Sequence, residues 1–270
     1  MTARTLPIGS VEVRSGGVDR DALYAALEDV VDPELDESVV QLGFVDEVAI
    51  DGETGGVTIH LRLPTFWCSP SFAYLMANDA RDAALRVPQV ASVRVELVDH
   101  GQSDEITEGV SAGRSFAEVF PDETDGDLAE LRALFRGKAF GMRQEQLVRF
   151  LLEAGLSPRE VVGIRVGDVL DTSDSAGLRV TIDGVERVLR GGAPLARAYL
   201  ERRRRVGLGE RPDSRLVTDL DGAPIAPDDL EAYLQRTRRQ RVSMTFNASM
   251  CRGLLEARYG LDRTVEVLNP

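Results

Sequence analysis

Residues 56–87 combine two periodicities that together constrain what this chain can fold into. Residues 56–63 alternate apolar and polar side chains, the pattern of a half-buried strand. Over residues 72–87, apolar side chains recur every three or four positions, which is typical of an amphipathic helix. Ser69 and Pro70 predict the start of this helix, with Ser69 as the N-cap and Pro70 as the first helical residue. The sequence therefore predicts a strand, a short loop and a helix.

Cys68 lies in this loop, directly before the predicted helix. The unpaired N–H groups and the positive dipole end of a helix N-terminus favour the thiolate, the form that attacks electrophiles and binds soft metals. A second interpretation stays open, because free cysteine is also among the most buried residue types and then acts as a small apolar side chain. The pKa of the thiol distinguishes the two.

The patterns around this unit predict an α+β fold. A helix over residues 19–30 and strands over 39–50 and 56–63 precede the helix after Cys68, and a strand over 90–98 follows it. This order suits a three-stranded sheet with helices packed against it. The rest of the chain predicts a mostly helical unit with a β-hairpin, whose elements cover residues 128–135, 143–153, 158–164, 178–182, 185–189, 194–205, 228–240 and 248–259.

Composition divides the chain into four segments. We expect a flexible arm over residues 1–18, a first domain over 19–99, an acidic linker over 100–126 and an α-rich domain over 127–270. Phe116 and Phe120 are exceptions within the linker, and either domain can receive them.

Charge and cysteine content exclude several classes of function. The net charge is −13, and the first 125 residues hold 24 acidic and 8 basic side chains, so this half repels nucleic acid and attracts basic surfaces. Two cysteines and two histidines do not close a four-ligand zinc site. A bound metal or cluster must be shared with a second subunit, as in a homodimer, ligated partly by oxygen, or held only in passing.

No sequence motif predicts an enzyme. The chain lacks a P-loop and a Glu-x-x-His pair, and the GxSxG match at residues 109–113 follows both histidines, against the chain order of a hydrolase triad. No apolar stretch is long enough to cross a bilayer, and the N-terminus lacks an apolar signal core. We expect a cytoplasmic, non-catalytic protein.

The first half resembles the SufT and PaaD family of metal-sulfur cluster assembly factors over roughly residues 19–99. Asp32-Pro33-Glu34 follows the first helix as the family's Asp-Pro-Glu signature does, residues 40–48 match its Val-x-Leu-Gly-Leu-Val strand, and Pro64-Thr65 precedes Cys68 as in its reactive-cysteine loop. Ser69 separates Cys68 from Pro70, whereas many members have proline directly after the cysteine.

The resemblance implies that the chain helps to mature metal centres in client proteins, with Cys68 as the functional thiol and a transient iron or iron-sulfur species as cargo. A thiolate near Asp32 and Glu34 supplies one soft and two hard ligands, a set suited to iron held in passing. Asp32-Pro33-Glu34 can equally be a helix stop and a turn. We predict metal ligation by Cys68, Asp32 and Glu34, client contacts by Phe66, Trp67 and Phe72, and loop shaping by Thr65, Ser69 and Pro70.

Three functional interpretations remain. Some family members are associated with bacterial diiron oxygenase systems, which makes a component of a multicomponent oxygenase a candidate client. A chaperone that binds an immature oxygenase subunit without touching metal is the nearest alternative.

The third interpretation is DNA binding through the arginine-rich second half. Residues 151–169 faintly resemble a tyrosine-recombinase catalytic domain, but Ser157 replaces the family's arginine and no histidine follows His100. The arginines at 202–205 and between 236 and 241 are more simply a solvated face, so nucleic acid is the less favoured partner.

Overall fold

A computed structural model describes residues 17–123, 128–171 and 177–260 of this chain. The predicted N-terminal arm lies outside the described residues except for residues 17 and 18. The fold is α+β, as predicted, with small sheets in both halves and a largely helical second half. No helix among the described residues is both long and apolar enough to cross a membrane.

The first half follows the predicted order of elements. Helix α1 (Arg20–Glu28) begins at Asp19, whose carboxylate accepts hydrogen bonds from two backbone N–H groups of the first turn. The short strands β1 (Val31–Asp32) and β2 (Glu37–Ser38) form a hairpin that the sequence did not predict. The elements that follow are β3 (Val45–Asp51), β4 (Gly56–Arg62), α2 (Pro70–Leu85) and β5 (Ser92–Val98).

Strands β3, β4 and β5 form one sheet, with β4 in the centre. Strand β3 pairs antiparallel with β4, whereas β5 pairs parallel with it because α2 forms the crossover between them. Val57, Ile59 and Leu61 of β4 are buried, which confirms the alternation seen in the sequence. Helix α2 packs its alanine-rich face on this sheet, so the loop that carries Cys68 is anchored at both ends.

The stretch predicted as an acidic linker forms two helices, α3 (Ser103–Ser111) and α4 (Phe116–Val119), in its described part. Ile106 and Val110 are completely buried, and Phe116 and Phe120 pack into the core of the first half. Residues 100–123 are therefore a folded part of the first half. The predicted boundary at residue 126 lies outside the described residues.

The second half contains α5 (Ala129–Glu153), α6 (Pro158–Gly163), β6 (Val169–Asp171), β7 (Leu178–Ile182), β8 (Val185–Leu189), α7 (Ala193–Arg205) and α8 (Leu230–Tyr259). The hairpin of β7 and β8 has the predicted bounds. Two predictions were wrong: α5 and α8 are each one long helix, where the sequence indicated two shorter ones.

Two features join the halves of the chain. Helix α8 places Leu230 and Leu234 in the core of the second half, and Ala248 and Leu255 in the core of the first. Asp36, which is only 3% exposed, forms ion pairs with two arginines of the second half. Both halves therefore contribute to the surface around the Asp32 loop.

Candidate functional site

The Asp32-Pro33-Glu34 segment forms the loop between β1 and β2. One carboxylate oxygen of Asp32 accepts hydrogen bonds from the N–H groups of Glu34 (2.8 Å) and Leu35 (3.0 Å). This arrangement is an Asx turn, so the turn interpretation of the motif is confirmed. Burial raises the pKa of Asp32 to about 6, and the charges of Glu34 and Glu37 add to this effect against the two N–H donors.

Cys68 lies between the end of β4 and the start of α2. Pro70 is the first helical residue, as predicted, but the Ser69 side chain makes no capping bond to α2 and instead lies 2.8 Å from the Ser71 hydroxyl. His100, from the loop after β5, lies with Nε2 2.8 Å from the Cys68 carbonyl oxygen. Its Nδ1 accepts from the Gln102 N–H, which assigns the proton to Nε2 and makes it the donor. His100 thus holds the cysteine loop.

The Cys68 thiol does not have the lowered pKa expected from a helix N-terminus, which was one of the two interpretations that the sequence left open. Its pKa is raised to about 12, first by the partial burial of the side chain and then by nearby Asp32, Cys251 and Glu34. The hydrogen bond from the Ser69 N–H lowers the pKa of the thiol, but it is the smallest of these contributions. The helix N-terminus is outweighed because the thiol lies among apolar atoms and negative charges. Cys68 is therefore a neutral thiol in this structure.

We expect Cys68 to react slowly with iodoacetamide. A pKa three units above the ordinary 9.0 lowers the thiolate fraction at pH 8 about a thousandfold, and the greater nucleophilicity of a more basic thiolate offsets part of this, leaving about a 30- to 60-fold slower reaction. Pseudo-first-order rates in a Cys251→Ser background, folded and in urea, test this. The folded rate should rise about tenfold per pH unit up to pH 10; a plateau near pH 8 would contradict the neutral thiol.

Helix α8 passes directly beside this site, which the sequence did not indicate. The Asn247 amide donates to Glu34 (3.2 Å), and Arg252 forms an ion pair with Glu37. Cys251, one helical turn after Asn247, packs at the edge of the first core as Cys68 does. Burial raises the pKa of Cys251 to about 11, with further contributions from Asp32 and Glu34. The site thus contains two neutral thiols near an acidic loop.

The predicted client-contact residues fall into two groups. Trp67 is 79% exposed and Phe66 is 51% exposed, so both present apolar surface beside Cys68. The Phe72 ring instead packs edge-on against Phe135 of α5, with ring centroids 5.1 Å apart. Phe72 therefore anchors the start of α2 to the second half, and of the three residues predicted to contact a client only Phe66 and Trp67 are largely exposed.

Within the part of the chain that the structure describes, no three His, Cys, Asp or Glu side chains are grouped so that they could hold a metal ion. Asp32 and Glu34 each accept a hydrogen bond at one carboxylate oxygen. The ligand roles of Cys68, Asp32 and Glu34 therefore stay predictions, and a metal species held here requires further ligands from outside this cluster.

The run Arg202-Arg203-Arg204-Arg205 is not the solvated face that the sequence indicated. Arg202 and Arg203 are buried, and Arg202 pairs with Asp36. Arg204 pairs with Glu210, and Arg205 with Glu201. Three of the four arginines thus pair with acidic side chains and Arg203 is buried, so this run leaves little free positive charge for DNA.

Comparisons with known proteins agree with the resemblance over the first half. Residues 20–97 match the family model described as "Iron-sulfur cluster assembly protein". The "Iron-sulfur cluster carrier protein" of Deinococcus radiodurans is 34% identical over 77 residues, which are 28% of this chain and 21% of that protein.

The "Fe-S protein maturation auxiliary factor YitW" of Bacillus subtilis is 33% identical over 79 residues, 29% of this chain and 74% of the relative. The matched region thus spans about a fifth of the first relative and three quarters of the second. It contains the hairpin of β1 and β2, the Cys68 loop and the three-stranded sheet. On this match and this geometry, the chain belongs to the iron-sulfur cluster assembly protein family.

Proposed function

We propose that this chain binds an iron or iron-sulfur species in passing at Cys68 and delivers it to a client metalloprotein. The observation that carries the proposal is the position of Cys68, half-buried beside Asp32 and Glu34 within the region that matches cluster assembly and carrier proteins. The cargo is a substrate of the site, since a carrier must release what it holds.

The electrostatics suit transient binding of a cation. Burial first, and then the charges of Asp32 and Glu34, disfavour a free thiolate at Cys68, so the thiol keeps its proton until cargo binds. An incoming iron centre is attracted by the same carboxylates and replaces the thiol proton, which leaves to solvent as the Fe–S bond forms. No electron moves in this step. Cargo affinity should therefore rise with pH and fall when the medium is acidified.

Cys68→Ser tests the proposal. The full-length wild type and variant are incubated anaerobically with iron(II) and sulfide, and the bound iron and its transfer to an apo-ferredoxin are measured. Loss of an outer-shell partner alone costs about 10- to 100-fold in metal affinity, so loss of the ligand should lower loading at least about tenfold. Ser71→Ala, two positions further at the start of α2, is the matched control and should load like the wild type.

A metal-independent chaperone gives a different result in the same experiment. If Cys68→Ser loads iron and supports client metallation as the wild type does, the ligand role is wrong and the chaperone interpretation replaces it. Exposed Phe66 and Trp67 fit client docking under either interpretation.

The finer proposal concerns the client and the division of labour along the chain. Following the family resemblance, we propose a component of a bacterial multicomponent diiron oxygenase as the client. We further propose that the first half loads the cargo and the second half recognises the partner. Co-purification of the chain with the individual oxygenase components tests the client. If none of the components co-purifies with the chain, this proposal is overturned.

A further inference from the structure

The second cysteine of the chain belongs to the same site. Asn247 and Arg252 of α8 contact Glu34 and Glu37, the two glutamates of the loop that holds Asp32. Ala248 and Leu255, on the same helical face, are buried in the first core. Cys251 lies between these positions at helical spacing, so its side chain is on the face that α8 turns toward the loop.

Cys68 lies near the same acidic loop, since Asp32 and Glu34 both act on its thiol. Its thiol packs at the edge of the core that also receives Cys251. The two thiols interact electrostatically, and Asp32 and Glu34 act on both. Arg62, the last residue of β4, stacks 4.7 Å from the centre of the Tyr259 ring, which fixes the end of α8 against the strand that leads to Cys68.

A site of two thiols has the ligand count expected of a carrier. Closed structural metal sites use four nitrogen or sulfur ligands and hold the metal firmly. Among the described residues, no group of three or more His, Cys, Asp or Glu side chains could provide such a set. Two protein ligands leave the remaining coordination positions to sulfide or to the receiving protein, so the cargo can leave by ligand exchange.

We propose that Cys68 and Cys251 form one two-thiol site for a soft metal species, which both halves of the chain assemble. The role of Cys68 in this pair rests on the proposed function; the assignment of Cys251 goes beyond it. Each thiol gives up one proton as its bond to the metal forms, and no oxidation or reduction takes place. Helix α8 is then part of the binding site.

Phenylarsine oxide tests the pair without iron. Its arsenic forms two As–S bonds only with two adjacent thiols, and its oxygen leaves as water with the two thiol protons. Under reducing, anaerobic conditions, intact mass spectrometry should show one arsenical per wild-type chain that survives a monothiol competitor. Cys68→Ser and Cys251→Ser should each lose it. Met250→Ser, half-exposed on the outer face of α8, is the matched control and should keep it.

Cobalt(II) titration separates failure of this inference from failure of the proposed function. The thiolate-to-cobalt absorption scales with the number of bound thiolates, so the wild type should give about twice the intensity of either single variant. If Cys251→Ser behaves like the wild type in both assays while Cys68→Ser is impaired, the thiol pair is overturned and the proposed function stands. If the wild type bridges the arsenical as expected but Cys68→Ser loads iron normally, the proposed function is overturned and the thiol pair is retained. Far-UV circular dichroism shows whether the serine variant is folded, and Cys251→Ala provides a second variant that lacks the Cys251 thiol.

Discussion

Replacing Asp36 with alanine is expected to lower the free energy of unfolding by about 3 to 5 kcal/mol, the range for breaking a buried ion pair from one side. Asp36 is 3% exposed, and its carboxylate oxygens lie 2.5 Å from Arg202 Nε and 2.8 Å from Arg143 Nε. Its removal leaves the Arg202 guanidinium, itself buried, with Glu201 as its remaining ion-pair partner. Urea unfolding followed by circular dichroism measures the change.

Asp36→Asn is the matched control for this prediction. Asp36 has a φ of 54°, a left-handed conformation that asparagine tolerates better than alanine does. The asparagine variant therefore removes the charge without added backbone strain, and we expect most of the loss to appear there too. A loss below about 1 kcal/mol in both variants would mean that the ion pairs contribute little net stability, as at exposed pairs.

Asp32→Asn is expected to remove a pH-dependent loss of stability. The pKa of Asp32 is about 6 in the folded chain against 3.8 ordinarily, so the folded state binds the proton more tightly. Stability from this group is fully present below pH 3.8 and is lost as pH rises through 6, by up to about 3 kcal/mol. The asparagine oxygen still accepts from the Glu34 and Leu35 N–H groups, so the turn is retained.

Comparison of urea unfolding at pH 4 and pH 8 checks this prediction. The wild type should lose more stability across that range than Asp32→Asn, and the variant should be at least as stable as the wild type at pH 8. Cys68 and Cys251 should also alkylate faster in the variant, because Asp32 raises the pKa of both thiols. If the wild type and Asp32→Asn lose the same unfolding free energy between pH 4 and pH 8, Asp32 is not the responsible group.

Local patterns were sufficient to predict five elements of the first half, namely α1, β3, β4, α2 and β5. The alternation of β4 and the proline at the start of α2 depend on neighbours in sequence, so they were visible without the structure. The long helices were not: the gap between the two helices predicted within α5 contains Gly137 and Gly141, and glycine disfavours a helix interior. Tertiary packing overrides this preference: a Cβ at position 141 would lie 3.3 Å from Thr237 of α8, so glycine allows the two helices to approach closely.

The candidate site was predicted only in part, for a related reason. Cys68 and Asp32 were identified from motifs, and Trp67 from its place beside them. Cys251 and Asn247 lie more than 200 residues from the Asp32 loop, and no sequence pattern links them to it. The sequence left the protonation state of Cys68 open between two interpretations, because burial and neighbouring charges depend on the assembled core.

Helix α8 has a consequence for anyone who dissects this protein. Because its first turns stabilise one core and its last turns the other, cutting the chain after residue 123 would strip Ala248 and Leu255 from the family-matching half. The excised fragment would expose, beside Cys68, the apolar surface that α8 covers in the full chain. Binding assays on that fragment would then measure nonspecific association through an apolar surface that is buried in the full chain.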